Sequence, residues 1–258
     1  MPDQTLLLTT AQAGVTTLTL NNPAARNALS TAMLTALEAA LDAVAADDTV
    51  RVLVIAANGP GFCAGHDLRE VRSFDGPARA RLFAQCSRFM QRLTTLPVPV
   101  IARVHGIATA AGCQLVATCD LALASDTARF AVSGINVGLF CSTPMVALSR
   151  VVPRKAAMEM LLTGDFIDAP EAARLGLVNR CVPEADLDAA VLALATKLAS
   201  KSRSAVALGK PAFYRQAELS LADAYAHTAE VMVHNMDEYD ANEGIDAFIQ
   251  KRAPVWAD

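Results

Sequence analysis

The chain has 258 residues, with 22 basic against 26 acidic side chains and a formal charge of −4: long enough for a large core, but without the bulk charge that would attract nucleic acid or an anionic membrane. Its six cysteines include no CxxC pair and no histidine at zinc-ligand spacing, so they read as small core residues in a reducing compartment, and a cytoplasmic location is expected. No apolar run has the length of a membrane span, and Met1 to Gln4 begin no basic-then-apolar leader, so neither secretion nor mitochondrial import is expected.

Residues 6–10 and 15–20 read as two strands joined by a turn at Ala13 and Gly14. After a polar stretch, apolar residues return at Met33, Leu37, Leu41 and Val44, one face of a helix. Residues 50–56 are a nearly continuous apolar run, the mark of a strand covered on both faces, and Asn58, Gly59, Pro60 and Gly61 break it. A long helix is predicted over 78–96, with Leu82, Phe83, Cys86, Phe89, Met90 and Leu93 on its core side. Pro97 and Pro99 end it before a strand over 100–104. Residues 110–118 read as a helix, 121–124 as a strand, and a further strand lies near Phe130. Helices follow over 143–150, 154–163 and 169–175, then a strand over 178–182. From Ala185 every segment has helical character, with helices over 208–219, 222–236 and 245–251 and weak breaks at Ser220 and Gly244. The alternation gives an α/β body over 1–200 and a helical region over 201–258.

The chemistry lies in two glycine-rich turns. One is Phe62, Cys63, Ala64, Gly65, His66, Asp67 and Leu68; the other runs over 104–114 and holds Gly106, Ala110, Ala111, Gly112 and Gln114. Each follows a predicted buried strand and precedes a helix. Small residues there let a ligand approach the backbone, and a helix start leaves N–H groups unpaired. Neither turn matches a dinucleotide or P-loop fingerprint, and spacing alone is also satisfied by tight strand–helix packing.

These turns, with residues 105–120, 130–138 and the ending from Phe248 to Trp256, resemble the enoyl-CoA hydratase/isomerase, or crotonase, superfamily. The resemblance runs over almost the whole chain in the family's order, nearest to the mitochondrial enoyl-CoA hydratase domain-containing members and their bacterial relatives. It implies a crotonase-like (ClpP/crotonase) spiral of repeated ββα units with a helical C-terminal trimerisation region. It also implies no tightly bound cofactor or metal, with coenzyme A arriving as part of an acyl-CoA thioester substrate. Carried over by position, the backbone N–H groups of His66 and Ala111 become the two donors that polarise the thioester carbonyl and stabilise an enolate, each contributing roughly 3–4 kcal/mol in the transition state. Ala64, Asp67 and Leu68 then border the bound ligand.

The chain departs from the hydratase pattern where the family places its two carboxylates. Those positions hold Gln114, which cannot take a proton near neutral pH, and Gly134, which has no side chain. Ordinary hydration is therefore expected to be weak or absent. The alternatives are a catalytically inactive acyl-CoA-binding paralogue or another crotonase reaction such as decarboxylation or thioester hydrolysis. Ser142 stands where a dehalogenase relative has a nucleophilic carboxylate; before Thr143 and Pro144 it reads instead as a helix N-cap. Cys141 reads as a pocket-wall thiol, Asp67 and Asp120 as structural carboxylates, and His105 as a residue that orders its turn. His227 and His234 could share a helix face, which does not make a metal site.

By the same resemblance Arg26 meets the phosphate end of coenzyme A, while Phe248 and Lys251 reach a neighbour's nucleotide pocket. The apolar faces of the last helices fit a homotrimer, or a homohexamer built as a dimer of trimers.

Overall fold

A computed structural model describes residues 5–257; the leader expectation on Met1 to Gln4 lies outside them. Strands β1 (Leu7–Gln12) and β2 (Val15–Leu20) form an antiparallel hairpin that turns at Ala13 and Gly14, both at positive φ. Helix α1 (Thr31–Ala46) starts at Ser30, whose side chain accepts from the N–H of Met33, and it buries Met33, Leu34, Leu37, Leu41 and Val44. All six residues of β3 (Val52–Ala57) are buried. Its even residues Val52 and Val54 join one apolar cluster while Leu53 and Ile55 join the main core, so the unbroken run reflects cover on both faces.

Helix α2 (Leu68–Ser73) is a short turn of helix that the periodicity does not announce, and α3 (Gly76–Thr95) begins two residues early because Asp75 caps it. Next come β4 (Val100–Val104), a three-residue β5 (Ile107–Thr109), α4 (Ala111–Thr118), β6 (Leu121–Ser125) and β7 (Arg129–Ala131). After a 3-10 turn over Ser133–Val137 the chain builds α5 (Pro144–Val151), α6 (Arg154–Thr163), β8 (Ile167–Asp168), α7 (Ala169–Leu175) and β9 (Arg180–Val182). It ends in α8 (Leu187–Ala199), α9 (Arg203–Gln216), α10 (Leu221–Asp237) and α11 (Tyr239–Gln250).

The main sheet has the order β1-β2-β3-β4-β6-β9 and is parallel except at β1. A second sheet, β5-β7-β8, stands beside it. Leu187, Val191 and Ala195 of α8 cover one face of the main sheet; the larger core, with Phe62, Phe89 and Phe130, fills the other. Strands β5 and β8 escape sequence reading because two or three residues carry no periodicity.

The expected break at Gly244 is overturned. The helix runs through it, and the chain breaks instead at Glu238, which ends α10 and caps α11. Gly244 lies beside the Trp256 ring, where an ideal Cβ would make an ordinary contact at 3.4 Å, so no turn and no tight approach requires glycine there.

Helix α9 is tied to the body by Lys210, whose ammonium donates to the carbonyls of Leu93 (2.7 Å) and Val98 (2.8 Å) and pairs with Asp120 at 2.7 Å. Asp120 also accepts from the N–H of Val100 (2.7 Å) and the hydroxyl of Tyr214 (2.8 Å). Its structural reading holds, and the interaction locks the start of β4 to the C-terminal helices.

Candidate functional site

The two turns meet through a single parallel bridge between Cys63 and Ala108. The N–H of Cys63 donates to the carbonyl of Ile107 (3.1 Å), and the N–H of Thr109 donates to the carbonyl of Cys63 (2.9 Å). The bridge lays the first turn along β5, so the second turn does not pass straight from β4 into α4 as the sequence suggests. Beyond the bridge, Gly65 at φ 88° is so close to α4 that an ideal Cβ would lie 2.9 Å from the Ala110 Cβ and 3.2 Å from the Ala111 nitrogen. The residue preceding His66 is thus packed on the amide of Ala111. The N–H of His66 has no partner among the described residues, and that of Ala111, first residue of α4, has no acceptor within the helix. Ala110 holds φ 49° and ψ −118°, a conformation that costs an alanine about 1–3 kcal/mol, and its N–H is anchored on the Ala131 carbonyl at 2.9 Å.

The first turn is braced from below by the stretch after β2. The N–H of Ala64 donates to the carbonyl of Arg26 (3.0 Å), and that of Leu29 to the carbonyl of Gly65 (2.7 Å). Arg26 and Asn27 are consecutive left-handed residues, at φ 50° and 55°. Asn27 is fully buried and joins three segments: its amide donates to the carbonyls of Asn58 (2.8 Å) and Gly61 (3.0 Å) and accepts from the N–H of Asn22 (2.8 Å). Sequence reasoning missed it. The available signal was an asparagine, tolerant of left-handed backbone, inside a proline-containing polar stretch.

His66 contributes an imidazole as well as an amide. Its Nδ1 sits 3.0 Å from the Leu29 carbonyl, which can only accept, so Nδ1 carries the proton and Nε2 is a bare acceptor. The ring stands edge-on to Phe83 at 5.3 Å. Burial holds its pKa below the ordinary value, outweighing the Leu29 bond and the nearby Glu70, so the ring is neutral at neutral pH. Nε2 is buried and makes no hydrogen bond. Asp67 caps α2, accepting from the N–H groups of Arg69 (2.9 Å) and Glu70 (3.3 Å), in line with its structural reading. Leu68 is exposed.

On the second turn Gln114 is only 5% exposed, and its Oε1 accepts no hydrogen bond. Gly134 lies in the 3-10 turn, where its N–H donates to Cys141 Sγ at 3.3 Å. It is not an open place: an ideal Cβ would fall 2.6 Å from the Leu139 carbonyl oxygen and 2.8 Å from that sulfur. Burial raises the Cys141 pKa, and Cys63 and Cys113 are pushed up to about 12, so these thiols are protonated at neutral pH. The expectation that Ser142 caps α5 is corrected. Thr143 occupies the N-cap without a side-chain bond, because the Ser142 hydroxyl turns back to donate to the Phe140 carbonyl at 3.3 Å. His105 does order its turn: Nε2 donates to the Gly59 carbonyl (2.8 Å) and Nδ1 accepts from Arg103 (3.0 Å).

The sequence profile described as enoyl-CoA hydratase/isomerase matches residues 10–258. The chain belongs to the enoyl-CoA hydratase/isomerase family. A mouse relative, enoyl-CoA hydratase domain-containing protein 3, mitochondrial, is 50% identical over 253 residues, 98% of this chain and 84% of that protein. Among solved structures, an enoyl-CoA hydratase of Mycobacterium smegmatis is 56% identical with a TM-score of 0.96, covering 99% of this chain and all of that one. Human enoyl coenzyme A hydratase domain-containing protein 3 is 49% identical with a TM-score of 0.95, covering 98% and 100%. The fold is the crotonase-like α/β fold, with repeated ββα elements and a C-terminal helical bundle.

The cytoplasmic expectation is corrected by these family members, since the mouse relative is mitochondrial by name. Buried, reduced thiols suit any reducing compartment, so composition could not discriminate.

The outlying crotonase positions are less gathered. Arg26 is exposed beside the first turn, through its carbonyl bond to Ala64. Phe248 is 84% exposed and Lys251 caps α11 in the left-handed region. Phe248 lines a groove of about 410 Å³ with Ser202, Asn235, Asp240, Ile245 and Trp256, which contains no residue of either turn. His234 sits 3.9 Å from Glu238 on exposed α10. Among the described residues no three His, Cys, Asp or Glu side chains are grouped to hold a metal ion, and no helix is long and apolar enough to cross a membrane.

Proposed function

We propose that the chain binds an acyl-CoA thioester with its carbonyl oxygen between the N–H groups of His66 and Ala111, and that it hydrates enoyl thioesters weakly or not at all. The packing of Gly65 on the Ala111 nitrogen supports the first half, because it holds the two turns at one place with both amides unpaired. Two rigid dipoles aimed at a developing enolate oxygen need no reorganisation as charge builds.

The second half rests on the acid/base positions. Hydration needs a group to take a proton from water and one to deliver it at carbon. Gln114 has only an amide, the Gly134 Cβ direction is occupied by backbone and sulfur, and Cys141 is held protonated. Enolate stabilisation without acid/base groups suits a binding paralogue, or a reaction such as decarboxylation, in which the broken C–C bond leaves its electron pair on the enolate as CO2 departs and solvent water then protonates the carbon.

Arg26 and Lys251 would meet the phosphates of coenzyme A and Phe248 its base. Residues 201–258 would form the oligomerisation region of a trimer or a hexamer. Tyr225, Met232, Val233, Met236, Phe248 and Ile249 all expose apolar surface there, which favours burial against a second copy. The test is calorimetric titration with butyryl-CoA alongside an absorbance assay of crotonyl-CoA hydration. Micromolar binding with hydration at least about a thousandfold below that of a family hydratase is expected. Hydration at family rates, or no binding, would overturn the reading.

A further inference from the structure

The two proposed donors are held by different means. In a trans peptide the C=O and N–H point in opposite directions, so whatever binds the carbonyl of one residue aims the N–H of the next. The Ala110 carbonyl accepts from the N–H of Gln114 (3.0 Å) and the Ala110 N–H donates to the Ala131 carbonyl (2.9 Å), so backbone groups alone turn the Ala111 N–H away from the body of α4. The Gly65 carbonyl accepts from the N–H of Leu29 (2.7 Å), which turns the His66 N–H away from Leu29. Here a side chain adds a second tie. The His66 Nδ1–H reaches back to the carbonyl of that same Leu29 at 3.0 Å. Leu29 thus holds residues 65 and 66 through both of its backbone groups. Gly65, at φ 88°, has no side chain of its own to restrict the peptide between them.

We infer that the His66 imidazole is a positioning group for the first donor: its Nδ1–H, bound to the Leu29 carbonyl, fixes the direction in which the His66 main-chain N–H meets a thioester carbonyl. The inference rests on the thioester reading and deepens it, and it asks no contact of the ring with substrate. Leu29 is a firm anchor, with no exposed surface and a place in the main core just before α1. The ring is held too, edge-on to Phe83 at 5.3 Å. The tie needs a proton on Nδ1 and nothing from Nε2. An asparagine can therefore replace it, because its Nδ2, like an imidazole Nδ1, is bonded to Cγ, whereas a phenylalanine fills the space and donates nothing. Without the tie, the glycine at 65 lets the peptide rock about the Leu29 N–H bond, and a donor turned out of line weakens steeply.

The test compares calorimetric affinities of butyryl-CoA and S-butyl-CoA, a thioether with a methylene in place of the carbonyl, so that their ratio reports the carbonyl contact alone. In the unmodified protein butyryl-CoA is expected to bind about tenfold more tightly. In His66→Phe the ratio should fall to about two, and in His66→Asn it should stay within about twofold of the unmodified value. The affinity for S-butyl-CoA should be the same in all three proteins. Circular dichroism melts show which variants are folded, and His66→Leu stands in for His66→Phe if that variant is not. A ratio unmoved by His66→Phe would overturn the inference and leave the thioester reading intact. An equal loss in His66→Asn and His66→Phe would overturn it too, since the Nδ1–H would then not be the group that matters. Equal affinities for both ligands in the unmodified protein, or no binding of either, would instead sink the thioester reading itself, and this inference with it.

Discussion

A side chain on Gly112 would begin 2.1 Å from the carbonyl oxygen of Cys63. That contact seats the start of α4 against the first turn, as does the packing of Gly65 on the Ala111 nitrogen. The same Cys63 carbonyl accepts from the N–H of Thr109 at 2.9 Å, so an added methyl group would have to displace a hydrogen-bonded backbone group.

Gly112→Ala should therefore be worse than a typical glycine-to-alanine change inside a helix. Overpacking against backbone is expected to cost about 1–3 kcal/mol or more, seen as a lower urea midpoint, and to weaken butyryl-CoA binding. Unchanged stability and binding would show that the two turns are not locked by this contact.

Restoring carboxylates should not restore hydration. In the double variant Gln114→Glu with Gly134→Glu, the second side chain must displace the Leu139 carbonyl or the Cys141 sulfur, at 2.6 and 2.8 Å from its Cβ. The expected result is a lower melting temperature and a crotonyl-CoA hydration rate within about tenfold of the unmodified protein, since a misplaced base contributes little. A gain of several orders of magnitude would mean that the 3-10 turn rearranges readily.

The Lys210–Asp120 pair is 7% and 16% exposed at its side chains, so breaking it strands a buried charge. Asp120→Ala should cost about 3–5 kcal/mol of stability. Tyr214→Phe, which removes one bond to the same carboxylate, should cost about 2 kcal/mol. Urea unfolding of the two single variants and the double variant measures the coupling; additive losses would show that the hydroxyl and the carboxylate do not act together.

His66 makes stability depend on pH with a definite sign. Its folded-state pKa lies below the ordinary 6.5, so between the two values the unfolded chain binds more protons than the folded one. Stability is full above about 6.5 and declines as pH falls through the folded-state value. The melting temperature should drop over that window, and His66→Phe should remove part of the slope. A slope identical in the variant would assign the loss to other groups.

The proposed oligomer rests on apolar side chains of α10 and α11 that nothing in a single chain covers. Met232→Glu with Val233→Lys should shift sedimentation from a trimer or hexamer toward monomer while leaving α9 clamped by Lys210. A monomeric unmodified protein would sink the assembly.

Much of the main sheet could be read from sequence, because a strand buried on both faces, such as 52–57, advertises itself by composition, and helices such as α1 and α3 by a repeated apolar face. That neither Gln114 nor Gly134 carries a carboxylate was equally visible, since it is a fact about residue type. Other features depended on through-space neighbours. Asn27 became a hub only because residues 58 and 61 return to it. Gly244 looked like a break, yet α11 runs through it. Ser142 lost its cap to the carbonyl of Phe140.

The sequence by itself determined which side chains exist at positions 114 and 134, and that neither is a carboxylate. Only the tertiary structure decided what the glycines and polar groups face, because close approach and the pairing of a buried acceptor are relations between segments distant along the chain. On that ground Gly134 is a packed position, and Gln114 Oε1 and His66 Nε2 are buried without a partner among the described residues.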